Sequence, residues 1–147
     1  MAMSDTRLIF LGTGTSQGVP MIGCGCEVCR SRDSRDKRLR SSVLVDYKGL
    51  RILVDAGPDF RQQMLRAEVS HLDAILLTHN HKDHTGGLDD IRAFNYLEKK
   101  ATDIYCEKYV EESLRLEYSY AFVEKKYPGA PEWRVQNINE KPFEVTV

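Results

Sequence analysis

The stretch Thr78-His79-Asn80-His81-Lys82-Asp83-His84-Thr85-Gly86-Gly87 holds three of the four histidines of this 147-residue chain, together with a carboxylate. His79 and His81 are two apart, so on an extended backbone both imidazoles leave on the same side and can close on one ion. Asp83 and His84 add an oxygen and another nitrogen. That donor set suits zinc, manganese or iron better than magnesium or calcium. A polar surface loop that merely contains histidines is the plainer reading, and the density of donors directly after an apolar run weighs against it.

Cys24, Cys26 and Cys29 form a second cluster, spaced C-x-C-x2-C. Three thiolates leave a tetrahedral zinc one ligand short. A disulfide fragment is the competing account, but residues 1–6 lack the basic start and apolar middle of a secretion signal, and clustered thiols in a reducing compartment more often bind metal. Cys106, the remaining cysteine, is a candidate fourth ligand, although in Asp103-Ile104-Tyr105-Cys106 it reads more simply as a small buried thiol on a strand.

Rigid elements must hold these donors. The run from Leu72 to Leu77 is apolar, long enough for a buried strand and too short for an independent helix, which hangs the histidines off a strand's C-terminal end. After Gly86-Gly87, the apolar positions between Leu88 and Leu97 approximate helical spacing. Arg7 to Gly12 reads as a first strand. Ser41 to Tyr47 and Leu50 to Asp55 read as a hairpin turning at Lys48-Gly49. A helix is expected over residues 58–65, with Pro58 in its first turn and Phe60, Met64 and Leu65 in the core. A second helix is expected from Tyr109 to Val123. Strand patterns follow at Trp133 to Val135 and Phe143 to Val147.

Gly12, Gly14 and Gly18 invite comparison with a dinucleotide fingerprint, but the spacing is G-x-G-x-x-x-G and no amphipathic helix follows. Glycines that permit close backbone approach explain the loop better. Arg30, Arg32, Arg35, Lys37, Arg38 and Arg40 form a basic run tempered by Asp33 and Asp36. It reads either as a phosphate or nucleic-acid contact or, preferably, as a solvated linker, since no aromatic residue interleaves for base stacking. A hydrophobic share of 41%, a charged share of 29% and a net charge of −1 describe a globular domain without global attraction to nucleic acid or membrane. No apolar run approaches the ~20 residues of a membrane span. The expectation is one domain, 1–147, in the cytoplasm.

His-x-His-x-Asp-His after an apolar strand, with Val54-Asp55-Ala56-Gly57 upstream, resembles the metallo-β-lactamase superfamily. Leu11-Gly12-Thr13-Gly14-Thr15 and the three cysteines are similar to the cyclic-phosphodiesterase branch of phosphonate breakdown, a relative of the tRNA 3′-processing endonucleases. The resemblance covers roughly residues 7 to 106 and implies an α/β fold, the four-layer αββα sandwich, with metals at one edge between two sheets. It implies two catalytic zinc ions, with manganese next in preference, one set on His79 and His81 and the other on Asp83 and His84. Asp83 would also orient the attacking water, and Asp55 would support the ligand histidines from behind. The structural zinc on Cys24, Cys26 and Cys29 would take its fourth ligand from a later histidine.

The same resemblance calls for another histidine, a bridging aspartate and a final histidine beyond His84, where this chain has no histidine and where carboxylates such as Asp89, Asp90 and Asp103 cannot supply the missing imidazoles. The expectation is therefore an N-terminal portion, catalytically inactive by itself, whose exposed apolar surface is either covered by further chain or drives self-association, in the simplest case a homodimer. The expected reaction of the whole protein is hydrolysis of a small phosphodiester, or of RNA, by a metal-activated hydroxide. Hydrolysis of thioesters or lactones on the same machinery is one alternative. A zinc-stabilised nucleic-acid-binding module with vestigial histidines is another.

Overall fold

The computed structural model describes residues 6–145. Strands β1 (Thr6–Gly12), β2 (Ser42–Tyr47), β3 (Leu50–Val54), β4 (Ala74–Leu76), β5 (Thr102–Cys106) and β6 (Trp133–Asn137) form one six-stranded sheet whose spatial order follows the sequence. The first three strands are antiparallel; from β3 onward every pair is parallel. Parallel neighbours need crossovers, and these carry helices α2 (Phe60–Arg66), α3 (Lys82–Thr85), α4 (Arg92–Glu98), α5 (Lys108–Glu117) and α6 (Ser119–Phe122). A single turn, α1 (Glu27–Arg30), lies in the long β1–β2 connection.

Strand alternation sorts the side chains. Ile9, Leu44, Leu53, Ile75, Ile104 and Val135 fall in register across all the strands. This row joins Phe60 and Met64 of α2, Phe94 of α4, Val110 and Leu114 of α5 and Ala121 of α6 in one hydrophobic cluster. Leu53, Ile75 and Ile104 are fully buried, and truncating any of them to alanine should cost about 2–5 kcal/mol.

The flanking rows point the other way. Leu8, Val45, Ile52 and Ala74 form one, and Phe10, Val43, Val54, Leu76 and Tyr105 form the other. At the β1 edge this face is open, with Leu8 58% and Phe10 63% exposed. The chain thus shows one sheet with its helices packed on one side, half of the expected sandwich.

The hairpin forms as its turn chemistry requires: Lys48 and Gly49 both have positive φ, the twist that closes two antiparallel strands through two residues. Three expectations need correcting. The helix expected over 109–123 breaks at Tyr118 (φ −114, ψ 40), where the phenol turns inward and donates to the Thr85 carbonyl at 2.9 Å. Leu65 is 62% exposed because α2 buries only the face carrying Phe60, Gln63 and Met64. Phe143 to Val145 form no strand, and Phe143 instead stacks on Tyr105 with centroids 5.7 Å apart; the rest of that expected strand lies outside the described residues. No helix among the described residues is long and apolar enough to cross a membrane.

Candidate metal centre

The histidine segment begins where β4 ends, and its neighbour in space is the end of β3. Asp55, directly after β3, adopts φ +63 and is buried. Its N–H continues the parallel ladder to the Leu76 carbonyl at 2.9 Å, and its own carbonyl accepts from the Ser42 hydroxyl at 2.9 Å. The unusual φ redirects the carboxylate out of the sheet toward residues 78–84. There Oδ1 accepts from the Thr78 N–H at 2.8 Å, while Oδ2 meets the Thr78 hydroxyl at 2.8 Å and His84 Nδ1 at 2.7 Å.

Backbone contacts fix the rest. The Ala56 N–H donates to the His84 carbonyl at 2.8 Å, and the Gly87 N–H donates to the Ala56 carbonyl at 2.9 Å. A Cβ on Gly57 would overlap the Asp83 carbonyl oxygen, so glycine is what lets the two segments lie together. Asp83 and His84 do not lie on an irregular loop: they belong to the helical turn α3, whose first carbonyl acceptor is His81, taking the His84 and Thr85 N–H groups at 2.9 and 3.1 Å. The alternate residues face outward, Asn80 donating to Ser113 Oγ at 2.8 Å and Lys82 pairing with Glu117 at 2.7 Å on α5.

The structure sets the histidine and aspartate candidates side by side, although among the described residues no three of their donor atoms lie within 4.8 Å of one another. The His79 ring lies 4.7 Å from that of His81 and 4.1 Å from that of His84, centroid to centroid. His84 Nε2 is 3.1 Å from Asp83 Oδ2. With Nδ1 donating to Asp55, a neutral His84 presents only a lone pair at Nε2, and a carboxylate likewise offers only acceptors. Two acceptors held face to face are unfavourable unless a cation or a proton joins them, so this pair fits a metal ion. His71, the remaining histidine, precedes β4 at the opposite end of that strand, bonded to the Gly49 carbonyl at 3.0 Å, and takes no part. Thr78 is the contributor that the sequence pattern does not mark. A threonine ending an apolar strand carries no signal by itself, and its role emerges only once Asp55 is placed beside it.

The cysteine cluster is also assembled. Among the described residues, Cys24, Cys26 and Cys29 are the group whose three donor atoms lie within 4.8 Å of one another. Cys26 caps α1, and backbone N–H groups point at two of the sulfurs, Cys29 N to Cys26 Sγ at 3.5 Å and Met21 N to Cys29 Sγ at 3.4 Å. The Cys29 N–H, aided by the Cys24 side chain, lowers the Cys26 thiol below its ordinary range. At Cys29 the Met21 N–H pulls the same way but is outweighed by Cys24 and Cys26, and the net shift is upward. Three convergent sulfurs supplied with N–H donors suit zinc. Cys106 is buried in β5, and burial pushes its thiol up to about 11, the behaviour of an inert core residue.

Of the basic run only Arg40 is partly buried, while Arg30, Arg32, Arg35, Lys37 and Arg38 stay exposed. The Arg40 guanidinium pairs with Asp59 at 3.0 Å and donates to the Ser16 carbonyl at 2.8 Å. Arg35 closes on Asp33, and Arg38 and Val19 exchange backbone hydrogen bonds at 2.8 Å. Side chains at Gly12 and Gly14 would strike the backbone of residues 38–40. The glycines therefore let this loop pack against the run.

Residues 50–147 match the model of the family described as Beta-lactamase superfamily domain. Among curated proteins, an octanoyltransferase of Porphyromonas gingivalis is 48% identical over 141 residues, a stretch that covers 95% of this chain but 28% of that protein. Among solved structures, a diphosphatase of the PhnP family superposes with a TM-score of 0.85 at 38% identity, over 95% of this chain and 52% of its own. The Zn(2+)-bound PqqB of Methylobacterium extorquens superposes with a TM-score of 0.72 at 25% identity, over 95% of this chain and 48% of its own. The chain thus spans about half the length of these two structures. With the fold, the glycine-braced histidine turn and the family match in agreement, this chain belongs to the β-lactamase superfamily.

Proposed function

We propose that this chain contributes one part of a metal-dependent hydrolytic centre that cleaves phosphoester bonds, phosphodiesters first. The observation that carries the reading is the Asp83–His84 pair, two acceptors held 3.1 Å apart by Asp55 beneath them. His79 with His81 and Asp83 with His84 would each hold one ion, zinc or manganese. Among the described residues no three of these donors converge as the cysteine sulfurs do. Two donors per ion is an incomplete set, and the remaining ligands must come from outside residues 6–145. When bound, such an ion would supply Lewis acidity, lowering the pKa of bound water toward about 7 and offsetting charge on phosphate oxygens. Asp83 would accept a hydrogen bond from the attacking water and orient it. Asp55 and Gly57 keep the ligand turn in place. Cys24, Cys26 and Cys29 would hold a structural zinc.

The likeness to a PhnP-family diphosphatase supports phosphorus–oxygen chemistry over thioesters or lactones. The octanoyltransferase name describes a protein of which this chain matches 28%, so it carries no acyl-transfer reading for the matched part. The absence of an aromatic residue interleaved with the basic run favours hydrolase over nucleic-acid module. The protein containing this chain should hydrolyse bis(p-nitrophenyl) phosphate in a chelator-sensitive way and lose that activity in His81→Ala. Salt-dependent RNA affinity without turnover would support the binding module instead.

A further inference from the structure

Thr78 ends the segment after β4, with Asp55 on one side and His79 on the other. Its hydroxyl oxygen lies 2.8 and 3.1 Å from the two Asp55 oxygens and 3.0 Å from His79 Nδ1. A hydroxyl has one proton and two lone pairs, whereas a carboxylate has only acceptors. The contact with Asp55 therefore consumes the Thr78 proton. What Oγ1 then turns toward His79 is a lone pair, and Nδ1 can bond to it only as an N–H donor. The His79 proton is thereby fixed on Nδ1 and Nε2 is left bare.

We propose that Thr78 is a positioning residue that relays the Asp55 carboxylate to His79, so that one buried acid sets the tautomer of two histidines. It acts on His84 directly, at 2.7 Å from Nδ1, and on His79 through the threonine hydroxyl. These two imidazoles belong to the two different donor pairs, and their rings lie 4.1 Å apart, centroid to centroid. The second Thr78 bond, from its backbone N–H to Asp55 Oδ1 at 2.8 Å, holds the hydroxyl in reach of both partners. The tautomer follows from hydrogen bonding alone; its use in metal capture rests on the function proposed above.

The test is nitrogen-15 NMR of the imidazoles in the metal-free whole protein that contains this chain, near pH 8, where an ordinary histidine is neutral, followed by zinc titration of the same samples. The expected result is a protonated Nδ1 and bare Nε2 at His79 in the unaltered chain. That pattern should be lost in Thr78→Val, which keeps the shape without the hydroxyl, and restored in Thr78→Ser. Zinc affinity read at the His79 signals should fall by about 10- to 100-fold in Thr78→Val and recover in Thr78→Ser. A bare Nδ1 in the unaltered chain, or a tautomer unchanged by Thr78→Val, would overturn the relay while leaving the metal site untouched. The expected tautomers with His79 signals that zinc does not move would uphold the relay and overturn the metal reading. Because the first measurement needs no variant, a Thr78→Val chain that fails to fold does not protect the proposal.

Discussion

The two donor clusters solve opposite problems. The cysteines converge on one point within six residues, using only local support: a one-turn helix, its cap and two N–H···S contacts. The histidines and aspartates are equally close in sequence, yet they depend on distant parts of the chain. Asp55, Gly57, Ser113 and Glu117 all hold the 78–85 segment. A structural ion needs its ligands gathered; a reactive one needs each ligand aimed, with positions left open. Aiming demands partners behind the ligands, and those partners come from elsewhere in the sequence.

If that contrast is right, Asp55→Ala should have the largest effect. It strands Thr78 and His84 without their buried acceptor and places alanine at φ +63. A loss of about 3–5 kcal/mol is expected, read from the denaturant midpoint. Gly57→Ala comes next. Its Cβ must displace the Asp83 carbonyl, at about 1–3 kcal/mol, and zinc content at the cysteines should stay unchanged while the histidine signals move. Cys26→Ser inverts the pattern: one zinc per chain should be lost by elemental analysis, while the His79–His84 ring contacts persist in NMR spectra. If Cys26→Ser instead disturbs the histidines, the clusters are coupled and the contrast fails.

The smallest effect concerns neither cluster and calibrates the others. The Arg7 guanidinium, 2.7 Å away, holds the Asp46 carboxyl below its ordinary range. A depressed folded-state pKa gives stability that is present above the unfolded value and lost as pH falls through the folded one. A slight drop in melting temperature below about pH 4 is expected, and Asp46→Asn should remove that part of the pH dependence.

Legibility in the sequence followed the range of the forces involved. The Lys48-Gly49 hairpin, the buried run before Thr78 and the cysteine knuckle are governed by residues near one another, and reading those residues was enough. The break at Tyr118 was invisible because it is set by a carbonyl 33 positions earlier, at Thr85. Leu65 misled because periodicity shows that a helix has an apolar face without showing how wide a strip the sheet covers. At Phe143 an alternating pattern reads as a strand, whereas the ring finds its partner on Tyr105 instead. For Thr78 the sequence offered only an ordinary strand-end residue. Its significance lies in four oxygen and nitrogen atoms that meet across the β3–β4 boundary.

The strand order has a consequence for how the chain is made. Because β1 to β6 lie side by side in the order of their synthesis, each strand leaving the ribosome meets an edge that has already formed. No strand has to be wedged between two existing ones. The hairpin of β2 and β3 supplies the first template, and each later crossover lays one more strand and its helical cover onto a growing border. Assembly of this kind proceeds in the direction of translation. It places Asp55 and Gly57 in position before the histidines they will hold have been added to the nascent chain.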